Sequence, residues 1–188
     1  SFIVPGDFDG DGRMDLFQID DKPHIGSWLA GGNADGTFTL TRPHPDFTAA
    51  EAHNGSGNLR TGDFNGDGRT DLLHIGNSAS QNWMAIALAN KRFEVRKGAA
   101  LGGLQNVAFS HSLTQILVMD VDGNGRTDVV VVPPSINGSG PSRVFLSGEN
   151  ATFTGQDPGA AFQALRVRGL RDREVLHHPA RALQLGLD

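Results

Sequence analysis

Apolar residues fall along this chain in short runs, broken by Gly, Asn, Ser and Pro. One set of runs is Leu16–Ile19, Leu72–Ile75 and Val129–Val132. A second set follows about ten residues on: Ile25–Ala30, Trp83–Ala89 and Arg143–Ser147. A third centres on Phe, in GTFTL at 36–40, KRFEV at 91–95 and ATFTG at 151–155. A fourth stands ahead of each set, as Phe2-Ile3-Val4, as 58–63 and as 113–120. Short runs rich in Val, Ile, Phe and Thr, bounded by turn residues, predict strands. Alternation is clearest in Trp83-Met84-Ala85-Ile86-Ala87-Leu88. No 3.6-residue period is sustained, and only 47–53 and 161–176 have room for a short helix. The pattern predicts an all-β chain in which four strands form a unit and the unit recurs.

The recurrence is explicit in the segments between the runs. Residues 6–17 read GDFDGDGRMDLF, 62–73 read GDFNGDGRTDLL and 119–130 read MDVDGNGRTDVV. The first Asp of each copy is Asp7, Asp63 or Asp120, so the spacings are 56 and 57 residues. Four strands in a unit of that length describe a β-propeller blade. The reading is about three four-stranded antiparallel blades plus a partial one, with repeats at about 1–57, 58–112 and 113–160. Residues 161–188 form a degenerate half blade or a tail. The longer connectors at 41–57 and 97–112 are expected to cross between blades or to form a ligand face.

Each loop carries the chemistry of a calcium site. Counting from its first Asp, positions 1, 3, 5, 7 and 9 are Asp7, Asp9, Asp11, Arg13 and Asp15 in the first copy. They are Asp63, Asn65, Asp67, Arg69 and Asp71 in the second, and Asp120, Asp122, Asn124, Arg126 and Asp128 in the third. Oxygen-bearing side chains fill every odd position but the seventh, where Arg offers its backbone carbonyl. Gly12, Gly68 and Gly125 hold position 6, where a calcium loop turns sharply. A dense set of hard oxygens suits Ca²⁺ better than Zn²⁺, and Mg²⁺ less well because it keeps its waters. An EF-hand needs Glu at position 12 and flanking helices. Here position 12 is Gln18, His74 or Val131, inside apolar runs. The expectation is three Ca²⁺ sites, each in a β-hairpin loop closed by Asp at position 9.

These D-x-D-x-D-G-x-x-D loops resemble the calcium hairpins of FG-GAP/VCBS repeats, the units of integrin α-like β-propellers. The resemblance covers about residues 1–156; literal Phe-Gly and Gly-Ala-Pro signatures are absent. It implies structural Ca²⁺ held by the fifteen residues named above, with Arg13, Arg69 and Arg126 as backbone ligands. It also implies an extracellular or cell-surface setting, cell adhesion or lectin-like binding, and a larger ring, since a propeller needs at least four blades. Three blades therefore read as part of a longer propeller, an oligomer that completes a ring, or an open stack.

Composition changes the picture at three points. Lys plus Arg number 16 and Asp plus Glu 21, a formal charge of −5, but ten of those acids are the loop residues just named. Three bound Ca²⁺ reverse the sign, so the balance says little about partners. It offers no basic stripe for nucleic acid. Cys is absent, which removes disulfides, thiol nucleophiles and cysteine zinc sites. No apolar run approaches the ~18–20 residues of a membrane span. No G-x-S-x-G elbow, P-loop, Rossmann fingerprint or H-E-x-x-H occurs. The seven His show no ligand spacing, and acids outside the loops, such as Asp20, Asp21, Asp46 and Glu51, share no pattern. Trp28 and Trp83 take matching places in two repeats, which predicts packing rather than sugar stacking. Sequons begin at Asn54, Asn137 and Asn150. The expectation is a non-catalytic, calcium-stabilised module for protein or glycan recognition, or alternatively a scaffold segment of a larger secreted protein with no ligand of its own.

Overall fold

The structure is a computed structural model and describes residues 2–19, 26–47, 58–107, 114–134, 141–159 and 162. Twelve strands form three four-stranded antiparallel sheets among the described residues. The first sheet holds β1 (Phe2–Gly6), β2 (Asp15–Ile19), β3 (Trp28–Gly32) and β4 (Phe38–Thr41). The second holds β5 (Asn58–Gly62), β6 (Asp71–Ile75), β7 (Trp83–Leu88) and β8 (Arg92–Lys97). The third holds β9 (Gln115–Met119), β10 (Asp128–Val132), β11 (Arg143–Ser147) and β12 (Phe153–Gln156). Each sheet is a simple meander in chain order. The predicted strands form, with shifted ends: the second run of the first unit begins at Trp28, because Gly26 has φ +73° and Ser27 is buried off the sheet.

Register is repeated as strictly as sequence. Gly6 pairs with Asp15, Gly62 with Asp71 and Met119 with Asp128, so each acidic loop is the connection between the first two strands of a sheet. Period-2 alternation then sends neighbouring side chains to opposite faces. Phe17 and Ile19 of β2 meet Leu72, Trp83, Ala85 and Ala87 between the first and second sheets. Leu73 and Ile75 of β6 meet Ile116, Val129, Val131 and Phe145 between the second and third. The residue at loop position 2 closes each layer: Phe8 and Phe64 are 0% exposed. Full burial of such a side chain contributes about 1.5–3 kcal/mol.

The connector after β8 takes the first of its two expected roles and leads from the second sheet to the third. Two 3-10 turns, Gly98–Leu101 and Gly103–Asn106, place Leu101, Leu104 and Val107 in the core between the second and third sheets. Asn82 fixes the connector by donating through Nδ2 to the carbonyls of Leu104 (2.9 Å) and Val107 (2.6 Å). Residues 97–100 of the same connector are exposed. Of the other connector, residues 41–47 are described and bury His44 and Phe47, while 48–57, both windows with room for a helix (apart from Phe47 and Phe162) and the 161–188 tail (apart from Phe162) fall outside the described residues, as do the sequons at Asn54 and Asn137. Among the described residues no helix is long and apolar enough to cross a membrane.

Candidate functional site

The three acidic loops adopt one conformation. Gly12, Gly68 and Gly125 have φ of +81°, +84° and +80°, which only glycine adopts without strain. The position-1 carboxylate organises each turn by accepting three backbone N–H bonds. For Asp7 these come from Gly10 (2.8 Å), Asp11 (3.1 Å) and Gly12 (2.8 Å). Asp63 and Asp120 accept the same three, from Gly66, Asp67 and Gly68 and from Gly123, Asn124 and Gly125. Such local acceptance favours turns over regular ladders.

The position-9 carboxylate is wholly buried: Asp15, Asp71 and Asp128 are each 0% exposed. One oxygen accepts from the N–H at position 2, in Phe8 (3.1 Å), Phe64 (3.0 Å) and Val121 (2.8 Å). The other accepts from the third strand, at Gly32, Ala87 and Ser147, each at 2.8 Å. The position-7 Arg grips the same third-strand residues by their carbonyls. Arg13 Nε donates to Gly32 O (3.0 Å), Arg69 Nε to Ala87 O (2.9 Å) and Arg126 Nε to Ser147 O (2.9 Å). The sequence suggested only a backbone role for these arginines. Their side chains lock the loop to its sheet, a contact that pairs residues about twenty positions apart and has no local signature.

Positions 1, 3 and 9 converge. Asp7, Asp9 and Asp15 each offer a carboxylate oxygen, and the three oxygens lie within 4.8 Å of one another; Asp120, Asp122 and Asp128 do the same. The second loop shares the fold, with Asn65 at position 3. Position 5 is turned elsewhere. Asp11 and Asp67 form ion pairs with the guanidinium groups of Arg13 and Arg69, and Asn124 Oδ1 accepts from Arg126 N (2.8 Å). Among the described residues the first loop has a cationic neighbour from another sheet: Lys91 Nζ is 3.1 Å from Asp9 Oδ2.

Electrostatics fit a cation. Burial pushes the Asp71 carboxyl up to about 7, the charges of Asp67 and Asp63 adding to the effect and the N–H bonds from Ala87 and Phe64 opposing it. Burial likewise raises Asp15. Asp120 is lowered, chiefly by the Gly125 N–H. A buried carboxylate short of positive charge, beside two further oxygen donors and no nitrogen or sulfur ligand, is the donor set of Ca²⁺.

The loops also join the sheets. Thr70 N donates to Asp7 O (2.7 Å), and Asp7 N donates back to Thr70 Oγ1 (3.1 Å). Thr127 and Asp63 repeat the exchange at 2.7 and 3.0 Å. Gly6 and Gly62 leave the room for those threonines: a Cβ on either would lie 2.6 Å from the threonine Cγ2. Of the other singled-out residues, Trp83 is buried and stacks on His74 (5.3 Å between ring centres, 12°). Trp28, at the same place on the first sheet, is half-buried because no sheet precedes it among the described residues. His44 sits among Phe17, Phe47 and Phe93, its Nε2 3.0 Å from Lys91 O.

Comparison with known proteins adds three findings. No curated protein sequence matches the chain. A lectin of Agrocybe aegerita, described for its specific recognition of non-reducing terminal N-acetylglucosamine, matches in structure with a TM-score of 0.63 at 22% identity. The match covers 81% of this chain and 37% of that one, so the chain spans well under half of the lectin's length, and the likeness is one of fold. Residues 3–74, which hold the first sheet, the first two acidic loops and most of β6, match the family described as the FG-GAP-like repeat.

Proposed function

We propose that the chain is a non-catalytic, calcium-stabilised β-module of an extracellular protein that recognises glycans. The observation that carries the metal part is the convergence of Asp7, Asp9 and Asp15, repeated by Asp120, Asp122 and Asp128, around a buried carboxylate. Three Ca²⁺ ions are held by the side chains at positions 1, 3, 5 and 9, Asp11, Asp67 and Asn124 included, with the carbonyls of Arg13, Arg69 and Arg126. For position 5 to ligate, Asp11 and Asp67 turn away from their arginines.

Calcium here acts on stability and on loop shape. Extracellular-type sites with Kd around 10⁻⁴–10⁻³ M, at ~1 mM Ca²⁺, supply roughly 0.4–1.4 kcal/mol each. Three supply about 1–4 kcal/mol of a typical 5–15. Cytosolic free Ca²⁺ removes that contribution, which favours an extracellular setting. EDTA is expected to lower the melting temperature, and three Ca²⁺ per chain are expected by elemental analysis. No metal and no shift overturn the calcium reading.

Glycan recognition rests on the shared fold with a lectin. A glycan array that includes terminal N-acetylglucosamine tests it. Silence on the array, with calcium binding intact, favours the alternative of a scaffold segment without its own ligand.

A further inference from the structure

The outward face of the third sheet carries an open apolar groove of about 540 Å³, floored by Val130, Val144 and Leu146 and edged by Leu117, Met119 and Val121. Its edge is bare where the inner layers are closed. Val121 is 46% exposed, whereas Phe8 and Phe64 at the same loop position are 0% exposed. We propose that this groove is the docking site for the chain's own segment 163–176.

The two inner junctions first show what does not fit. Each needs glycine before the first Asp of one loop and threonine at position 8 of the next. A Cβ on Gly6 would stand 2.8 Å from Thr70 Cβ, and one on Gly62 would stand 2.9 Å from Thr127 Cβ. The third loop has Met119 in the glycine's place, with a side chain already there. A fourth sheet in the same register therefore sets two β-carbons closer than van der Waals contact allows, unless glycine stands at its eighth position. A second copy of this chain brings Met14 to that point, not glycine. At the third sheet, the register used twice inside the chain therefore excludes a second copy of this chain.

The chain itself already reaches the groove. Pro158 and Phe162, just after β12, line it, and 26 residues follow Phe162. Their first part reads Leu165-Arg166-Val167-Arg168, an alternation that gives one apolar and one basic edge to an extended segment. Arg166, Arg168, Arg171 and Arg173 outnumber Asp172 and Glu174, while Asp122 and Asp157 stand on the groove wall. Asp157 lies outside the metal loops, so its charge persists with calcium bound. Apolar side chains have an apolar floor within reach of Phe162, and the arginines have acids beside it.

The three methionines make the test internal. Met119 edges the groove, Met84 is in the core, and Met14 is at the opposite end of the array. The full chain carrying ¹³C-methyl methionine is compared with the Leu165→Asp/Val167→Asp variant. The Met119 methyl signal is expected to move, Met84 and Met14 to hold, and binding of an apolar dye to rise severalfold. An unmoved Met119 signal overturns the proposal. So does a Met119 signal that moves together with Met14 on dilution of the unaltered chain, since a second copy is then the occupant. Should the first variant disturb Met84, Arg166→Glu/Arg168→Glu keeps every apolar side chain and is read in the same way.

Discussion

Replacing Gly62 with Ala probes the junction between the second and third sheets. The new Cβ lies 2.6 Å from Thr127 Cγ2 and 2.9 Å from both Thr127 Cβ and Oγ1. Thr127 cannot retreat freely, because its N–H and hydroxyl both bond the Asp63 backbone. Overpacking of a filled site costs about 1–3 kcal/mol. Losing glycine's backbone freedom returns roughly 0.5–1 kcal/mol. The net expectation is a loss of about 0.5–2 kcal/mol, or about 1–8 °C in Tm for a chain of this size. Thermal melts followed by circular dichroism read it. The Thr127→Gly background removes the clash, so Gly62→Ala there is expected to be neutral or stabilising, and the coupling in the double-mutant cycle isolates the contact. A Gly62→Ala chain as stable as the original refutes the steric account, and with it the argument that Met119 excludes a second copy in that register.

Three further outcomes follow from other contacts. Lys91→Met removes the ammonium 3.1 Å from Asp9, a part-buried contact; even a surface pair is worth about 0.2–1 kcal/mol, so calcium affinity in the first loop is expected to rise at least roughly 1.4-fold. Calorimetric titration of the two chains checks it, and equal affinities contradict it. His44 is held below its ordinary 6.5 chiefly by burial, so the unfolded chain takes up its proton first as pH falls; stability is therefore lost as pH drops below 6.5. His44→Gln keeps a donor for Lys91 O and is expected to remove that part of the slope in urea melts between pH 7.5 and 5. Asp71 works in the opposite sense without calcium: with its folded pKa near 7, the chain loses stability as pH rises from about 4 to 7. Saturating Ca²⁺ is expected to flatten this limb, and a metal-free chain with no such limb contradicts the burial cost assigned to Asp71.

Much of the architecture was legible in the chain because its signals are local. Alternation and turn residues mark strands such as Trp83–Leu88, and the 56- and 57-residue spacing marks the loops. Glycine at position 6 and the odd-numbered carboxylates mark the turn, since φ near +80° and dense oxygen donors have few other uses. What was not legible depends on stacking. No sequence rule connects Asp7 to Thr70, Lys91 to Asp9 or Leu104 to the core, because each contact forms only when one whole sheet lies on another. The side-chain role of the Arg at position 7 was not legible for the same reason: its partner is a carbonyl on the third strand.

By itself, then, the sequence determined the repeating unit, its strands and the acidic loop between the first two of them, all consequences of period, propensity and side-chain chemistry within about a dozen residues. The tertiary structure decided which donors meet and which do not. It drew Asp7, Asp9 and Asp15 together and turned Asp11 toward Arg13. It buried Trp83 and left Trp28 half open. It also gave Gly62 and Met119, the same place in two repeats, opposite meanings. A residue's role at a sheet face is set by what is packed on that face, and packing is a property of the array, not of the unit.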